Sequence, residues 1–153
     1  MGDEREMTRV RARAQELLRG GEAGSSLAME AGTVGTPIAV RAPGGELHSW
    51  FVPVTVGERL AGYFRFLPDL TVMGYSSFQR REESVEGCPP AEWWVDGEVV
   101  RRRAAEKARP GESAGEPVLS YDRGPSRLAW VVRLTRAGGG VRTVFVAGRT
   151  VWE

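Results

Sequence analysis

Residues 36–55 read TPIAVRAPGGELHSWFVPVT and residues 116–135 read EPVLSYDRGPSRLAWVVRLT, and these two segments align without a gap. The offset is 80 residues, and the identical pairs are Pro37/Pro117, Gly44/Gly124, Trp50/Trp130, Val52/Val132 and Thr55/Thr135. Each tryptophan begins an alternation of apolar residues, which is the period of a half-buried strand. We therefore expect one supersecondary unit that is used twice.

One helix and four strands are predicted around the first segment. Apolar residues recur at three- and four-residue spacings between Met7 and Leu18, which is typical of an amphipathic helix. Residues 20–35 are rich in Gly, Ala, Ser and Glu, and we expect a flexible connection with a short helical turn near residues 26–31. Alternating apolar residues and turn signals then predict strands at residues 37–41, 47–56, 60–66 and 71–76.

One helix followed by four strands is predicted again after residue 84. The prolines at 89 and 90 interrupt both helix and sheet, Asp96 is a good N-cap for a helix near residues 99–108, and Pro110 ends that helix. Strands follow at residues 116–121, 127–136, 141–147 and 150–153. The predicted fold class is α+β, with two tandem units that each have one helix followed by a four-stranded antiparallel meander, at residues 1–84 and 85–153.

Composition and charge argue against several classes of partner. The chain has 21 Lys+Arg and 20 Asp+Glu, so no overall field attracts nucleic acid or an anionic membrane. The arginine clusters at 80–81 and 101–103 are interpreted as solvated or salt-bridged surface, and no nucleic-acid partner is expected. No run of eighteen apolar residues and no signal-peptide core is present, so we expect no membrane insertion and a cytoplasmic location unless an export signal was removed.

No set of residues predicts catalysis, a metal or a cofactor. Cys88 and His48 are the residue types of an imidazole-activated thiolate, but Cys88 lies in a proline-flanked linker with nothing to fix its geometry. His48 takes the repeat position of Leu128, which favours a packed or half-buried histidine. One histidine and one cysteine cannot form a zinc site, and Gly57–Gly62 lacks the Lys and Ser/Thr of a phosphate loop. We expect no enzymatic activity and no cofactor.

Aromatic and cationic side chains are the candidates for contacting a partner. Trp93 and Trp94 are predicted to lie on an extended entry to the second helix, so that one ring packs inward and the other faces a groove or a partner. Tyr63 and Arg65 alternate with the phenylalanines of the third strand, and a sheet face of this kind accepts a peptide or a small anion, although an ordinary polar outer face is the open alternative. The candidate contact residues are His48, Tyr63, Arg65, Trp93 and Trp94.

Three segments of the second unit carry a resemblance to known domains: Trp94-Val95-Asp96 before a helix, Trp130–Leu134 on a central strand, and Val144–Gly148 at the end of the meander. A helix across a curved antiparallel meander, present twice in tandem, resembles the cystatin-like superfold and, more narrowly, the small PepSY-type domains. The resemblance implies a non-catalytic module that binds, and in some relatives restrains, peptidases or other partners. The Gln-x-Val-x-Gly inhibitory loop of cystatins is absent, so no functional residues are carried over.

The sequence favours a non-enzymatic binding or regulatory module that recognises a protein or peptide partner. The alternative is a small-ligand carrier or small enzyme that uses the concave face of one sheet, with His48, Tyr63, Arg65 and Tyr75 as its polar groups. Open sheets also have edge strands, so homodimerisation by edge pairing or sheet stacking is a further expectation.

Overall fold

The computed structural model describes residues 2–24 and 26–153. Within this range the chain is α+β, with antiparallel sheets that each follow a helix. The elements before residue 80 are α1 (Gly2–Arg19), α2 (Leu27–Ala31), β1 (Thr33–Val34), β2 (Ile38–Arg41), β3 (Leu47–Val56), β4 (Arg59–Phe66) and β5 (Val72–Ser77). The elements after it are α3 (Glu92–Val95), α4 (Gly97–Ala105), β6 (Glu112–Ala114), β7 (Val118–Tyr121), β8 (Leu128–Arg136), β9 (Val141–Ala147) and β10 (Thr150–Trp152).

The described chain divides into two compact units. The first contains the residues up to Ala39 together with Leu47–Ala91, and the second contains Val40–Glu46 and Glu92–Glu153. The N–H of Leu60 donates to the carbonyl of Pro89 at 2.9 Å, which ties the segment before residue 92 to β4 of the first unit. The boundary that the sequence suggested between residues 84 and 85 stays a prediction.

Each sheet contains the four predicted strands and one short strand ahead of them. In the first sheet β5, β4 and β3 are neighbours in that order, and β1 and β2 both pair with β3. In the second sheet β10, β9 and β8 are neighbours in that order, and β6 and β7 both pair with β8. β1 and β2 are separated by Gly35-Thr36-Pro37, and β6 and β7 by Gly115-Glu116-Pro117. Proline has no N–H to donate and interrupts the ladder at these points. The expectation of four strands per sheet is therefore corrected to five.

The two sheets share one strand register at an offset of 80 residues. Trp50 pairs with Phe66 on β4, and Trp130 pairs with Val146 on β9. The same offset holds near the other end of these strands, for the pairs Thr33 with Thr55 and Ser113 with Thr135. The two segments that align in sequence therefore occupy equivalent strands.

In each unit, an arginine of the long helix donates a hydrogen bond to a backbone carbonyl of the sheet. Arg11 of α1 donates to the carbonyl of Val34 at 3.0 Å, and Arg101 of α4 donates to the carbonyl of Ala114 at 3.0 Å. Val34 and Ala114 are equivalent at the offset of 80. Arg11 precedes its acceptor by 23 residues and Arg101 by 13, so the connection in the first unit is longer. The added length contains α2, which is the helical turn expected near residues 26–31.

The helix side of each sheet forms a hydrophobic core. In the first unit, Val10 and Ala14 of α1 are fully buried in one cluster with residues of β3 and β4, among them Trp50, Val52, Val54, Phe64 and Phe66. In the second unit, the side chains with no exposed surface include Val100 and Ala104 of α4 and Val132, Leu134, Val144 and Val146 of the sheet. Burying one aliphatic or aromatic side chain of this size stabilises the fold by roughly 1.5–3 kcal/mol.

Asp96 is the N-cap of α4 as the sequence predicted, but the residues before it do not have the predicted extended conformation. The Asp96 side chain caps α4, because it accepts the N–H of Glu98 at 3.0 Å and that of Val99 at 3.4 Å. The prediction that Trp93 and Trp94 lie on extended chain is wrong, since both belong to the single helical turn α3. In a helical turn neighbouring side chains diverge by about 100°, so the two rings need not point to opposite sides.

Candidate functional site

Two of the five contact residues suggested by the sequence meet at one end of the first sheet. Arg65 donates to Ser49 Oγ at 2.7 Å, and its Nη2 lies 3.5 Å from His48 Nδ1. His48 Nδ1 is also 2.9 Å from Ser49 Oγ. Arg65 is only 8% exposed and Ser49 is not exposed at all, so the guanidinium group is enclosed by protein.

Ser49 and His48 are the residue types of a nucleophile and its general base, but the surroundings of this pair do not suit catalysis. A serine nucleophile needs an adjacent base and access to a substrate, and Ser49 has no exposed surface. The third group is the guanidinium of Arg65, whereas a nucleophilic triad uses a carboxylate to hold the imidazole. We interpret the three side chains as a structural polar contact across β3 and β4.

Tyr63 and Tyr75 lie on opposite faces of the first sheet. The ring of Tyr63 stacks on Phe51 with centroids 4.6 Å apart, whereas Tyr75 packs against Phe64 at 4.8 Å, on the helix side. Burial raises the pKa of Tyr75 to about 12, and its hydroxyl has no hydrogen-bond partner among the described residues. The four polar groups of the small-ligand alternative therefore do not converge on one face of this sheet.

Cys88 is buried, and the sequence-based picture of a loose linker around it is wrong. The residue is 2% exposed, and Arg59 donates to its carbonyl at 3.0 Å. Burial raises the pKa of the Cys88 thiol. Because the thiolate is the nucleophilic form, a buried thiol with a raised pKa is unreactive.

The adjacent tryptophans have different environments. Trp94 is 7% exposed, and its carbonyl accepts the indole N–H of Trp130 at 3.2 Å. Trp93 is half-buried, and the guanidinium carbon of Arg103 lies 4.7 Å from its ring centroid, which is a cation–π contact. Arg103 also donates to the carbonyl of Gly148. The more exposed ring is therefore covered in part by a side chain of the same unit.

The second sheet has an open face on the side away from α4. Val118 of β7, Val131 of β8, Phe145 of β9 and Trp152 of β10 are paired across the strands in a single row, which we call the groove face. Val118 is 43% exposed, and the other three are half-buried. The rings of Phe145 and Trp152 are stacked at 5.5 Å. The row is thus a continuous apolar surface that water reaches.

Val118, Val131 and Phe145 of the groove face form the floor of a groove of about 910 Å³. The walls include residues from Arg41 to Gly45 and the turn Tyr121–Arg123. All of the lining residues belong to the second compact unit, which includes Val40–Glu46. Pockets that bind ligands have volumes of roughly 300–1,000 Å³, and the volume of this groove lies within that range.

Charged side chains surround the apolar floor. Those that line the groove are Arg41, Glu116, Asp122, Arg123 and Arg133. Both carboxylates already have partners, since Asp122 Oδ2 accepts the indole N–H of Trp152 at 3.3 Å and Glu116 lies 3.7 Å from Arg101. Within residues 2–24 and 26–153, the three arginine side chains make no ion pair or hydrogen bond. The lining therefore has three positive and two negative side chains, which gives a net charge of +1.

Sequence reasoning did not find the groove face. Val131 is followed by Val132, and Phe145 lies between Val144 and Val146, so the apolar runs resemble strands that are buried on both sides. The available signal was Arg133, which shares a face with Val131 because side chains alternate along a strand. An arginine next to valine on one strand face indicates a surface that is apolar but not enclosed.

In the part of the chain that the structure describes, no group of three His, Cys, Asp or Glu side chains is placed to hold a metal ion. None of the helices described there combines the length and the apolar character needed to cross a bilayer. No protein-family model, curated protein or solved structure matches this chain. The cystatin-like and PepSY-type assignments therefore stay proposals.

Proposed function

We propose that this chain is a non-enzymatic binding module of cystatin-like architecture, and that it recognises a protein or peptide partner through the groove face. The observation that carries the proposal is the accessible row of the groove face, in which Val118, Val131 and Phe145 line the groove and Trp152 continues the row on β10. Apolar surface rimmed by polar groups is typical of an interaction site. A link to peptidases rests on the resemblance alone.

A comparison between the two units supports this choice of face. At the offset of 80 residues, Val131 corresponds to Phe51 and Phe145 corresponds to Arg65. Phe51 has no exposed surface and Arg65 is 8% exposed, whereas Val131 and Phe145 are half-buried. The same face of the repeat is therefore closed in the first unit and accessible in the second. An accessible copy of an otherwise buried face is available to a partner.

A phage-displayed library of linear peptides, panned against the full chain, tests the proposal. The selected peptides are then measured against Val118→Asn and against Val141→Asn as the matched control. Val141 is an exposed strand valine, at 57%, that does not line the groove. We expect Val118→Asn to weaken binding about five- to tenfold, since a valine that a ligand covers contributes about 1 kcal/mol.

Circular dichroism of both variants checks that the fold is retained. A library that yields no enriched peptide, or peptides that Val118→Asn and Val141→Asn weaken equally, would count against a peptide site on the groove face.

The volume of the groove also suits a small ligand, which is the second candidate function. A thermal-shift screen of metabolites separates the two, because a ligand that binds only the native state raises the melting temperature with its concentration. Stabilisation by a metabolite, together with failure of peptide selection, would favour a small-ligand carrier.

Homodimerisation stays a prediction, and β5 is the edge strand on which to test it. β5 pairs with β4 alone among the described strands, and its Val72 and Met73 are 40% and 44% exposed. An exposed apolar edge is a template for strand pairing. Sedimentation velocity of Met73→Lys beside the natural chain measures whether this edge mediates self-association.

A further inference from the structure

We infer that the partner presents an acidic, extended segment in which carboxylates flank an apolar side chain. The inference rests on the proposed function and adds the chemistry of the partner. Its basis is the combination of an apolar floor with arginines that have no partner in the described part of the chain.

The arginines are placed around the floor rather than along one side of it. Arg133 lies on β8 two residues after Val131, so its side chain leaves the same face of the sheet. Arg41 and Arg123 belong to the walls of the groove. A segment that places an apolar side chain over Val131 and Phe145 would therefore have guanidinium groups on more than one side. Guanidinium groups bind carboxylates in a planar, bidentate geometry that suits this arrangement.

The acidic residues of the groove neutralise only part of this charge, because its lining has three arginines and two carboxylates. The carboxylate of Asp122 is engaged by the indole of Trp152, and that of Glu116 lies near Arg101 of the helix. The remaining charge favours an anionic ligand over a neutral or cationic one, and the preference is screened by salt because the groove is open to solvent.

The turn that carries Arg123 is a further sign of a functional surface. Arg123 has a φ of 72°, in the left-handed region that non-glycine residues seldom occupy. Glycine adopts such a φ without strain because it has no Cβ, but the residue at this position is an arginine and the glycine is the next residue, Gly124. Residues held in such conformations cluster at ligand-binding sites.

The test uses fluorescence anisotropy with the full chain and three short fluorescein-labelled peptides. In the first peptide glutamate stands two residues before and two residues after a central phenylalanine, so that the three side chains leave the same face of the extended peptide. Glutamine replaces glutamate in the second peptide, and lysine replaces it in the third. The protein variants are Arg133→Gln and, as the matched control, Arg136→Gln. Arg136 lies on the same strand but belongs to the opposite face, because it is an odd number of residues from Arg133.

We expect the glutamate peptide to bind at least tenfold more tightly than the glutamine peptide, which corresponds to about 1.4 kcal/mol. Arg133→Gln should reduce that preference at least threefold, Arg136→Gln should leave it unchanged, and added salt should weaken binding.

Equal affinity for the glutamate and glutamine peptides would overturn the inference while leaving an apolar peptide site in place. A glutamate peptide that does not bind, or one that Arg133→Gln and Arg136→Gln weaken equally, would overturn it as well. Failure of the proposed function is distinguished by the library selection, which would then yield no peptide of any charge.

Discussion

The two equivalent tryptophans allow one prediction to be worked out as a matched pair. Trp130 donates its indole N–H to the carbonyl of Trp94 at 3.2 Å in a buried environment. The indole nitrogen of Trp50 is also buried, but it has no hydrogen-bond partner among the described residues. Replacing each tryptophan with phenylalanine therefore removes a hydrogen bond in one unit and an unpaired donor in the other.

The expected difference in unfolding free energy between the two variants follows from the hydrogen bonding of the two indole nitrogens. Both substitutions shrink a buried ring by the same amount at equivalent positions, so that loss of packing is common to the pair. Trp130→Phe in addition removes the hydrogen bond to the Trp94 carbonyl, and such a bond contributes about 0.5–1.5 kcal/mol. Trp50→Phe instead removes a buried donor that has no hydrogen-bond partner among the described residues, and such a donor costs about 1–3 kcal/mol. Trp50→Phe loses no bond. We expect Trp130→Phe to lower the free energy of unfolding by about 2 kcal/mol more than Trp50→Phe does.

Urea unfolding followed by far-ultraviolet circular dichroism measures this, because the signal does not depend on the number of indoles. With a slope of about 2 kcal/mol per molar urea, the unfolding midpoint of Trp130→Phe should be lower than that of Trp50→Phe by about 1 M. Equal midpoints, or a lower midpoint for Trp50→Phe, would refute the reasoning about the two indole nitrogens.

Three further predictions concern the second unit. The pKa of Glu112 is lowered from 4.5 to about 2, mainly because the Arg142 side chain donates to its carboxylate. The stabilisation from the ionised carboxylate is present above pH 4.5 and is lost as the pH falls towards 2. The difference in melting temperature between the natural chain and Glu112→Gln should therefore shrink as the pH falls from 4.5 towards 2. Arg101→Met removes the hydrogen bond to the Ala114 carbonyl and should lower the unfolding free energy by about 1 kcal/mol, measured by urea titration, whereas no change would mean that the arginine does not fasten α4 to its sheet. Asp96→Ala removes the cap of α4 and should cost about 1 kcal/mol in the same assay, with Asp96→Asn expected to retain most of the stability.

The repeated segments predicted the strands because their periodicity has a direct physical cause. Trp50, Val52 and Val54 alternate on one face of β3, and that face packs against α1 in the core. Asp96 was found for a similar reason, since a side chain that accepts backbone N–H groups marks a helix start whatever surrounds it.

Other elements could not be found in the same way. β1 and β6 are only two and three residues long, so they contain no period, and their pairing depends on Thr55 and Thr135 far along the chain. Trp93 and Trp94 form a helical turn that no local signal distinguishes from extended chain. Short segments of this kind are decided by tertiary contacts and not by their own sequence.

The groove face was not predicted, and the residues that the sequence suggested lie elsewhere. His48 and Arg65 do lie together, because β3 and β4 pair as a hairpin. Whether the Arg65 guanidinium is enclosed depends on what packs over that face, and alternation along a strand does not contain this information. The accessibility of Phe145 was hidden for the same reason, since an apolar run looks alike whether or not both of its faces are covered.

An NMR titration with the glutamate-containing peptide would test most directly whether the groove face is the binding surface. Backbone amide shifts should be largest at Val131, Arg133 and Phe145, and the positions 80 residues earlier, Phe51 and Arg65, should stay unchanged. Shifts confined to the first unit, or no shifts at peptide concentrations that saturate the anisotropy signal, would contradict binding at the groove face.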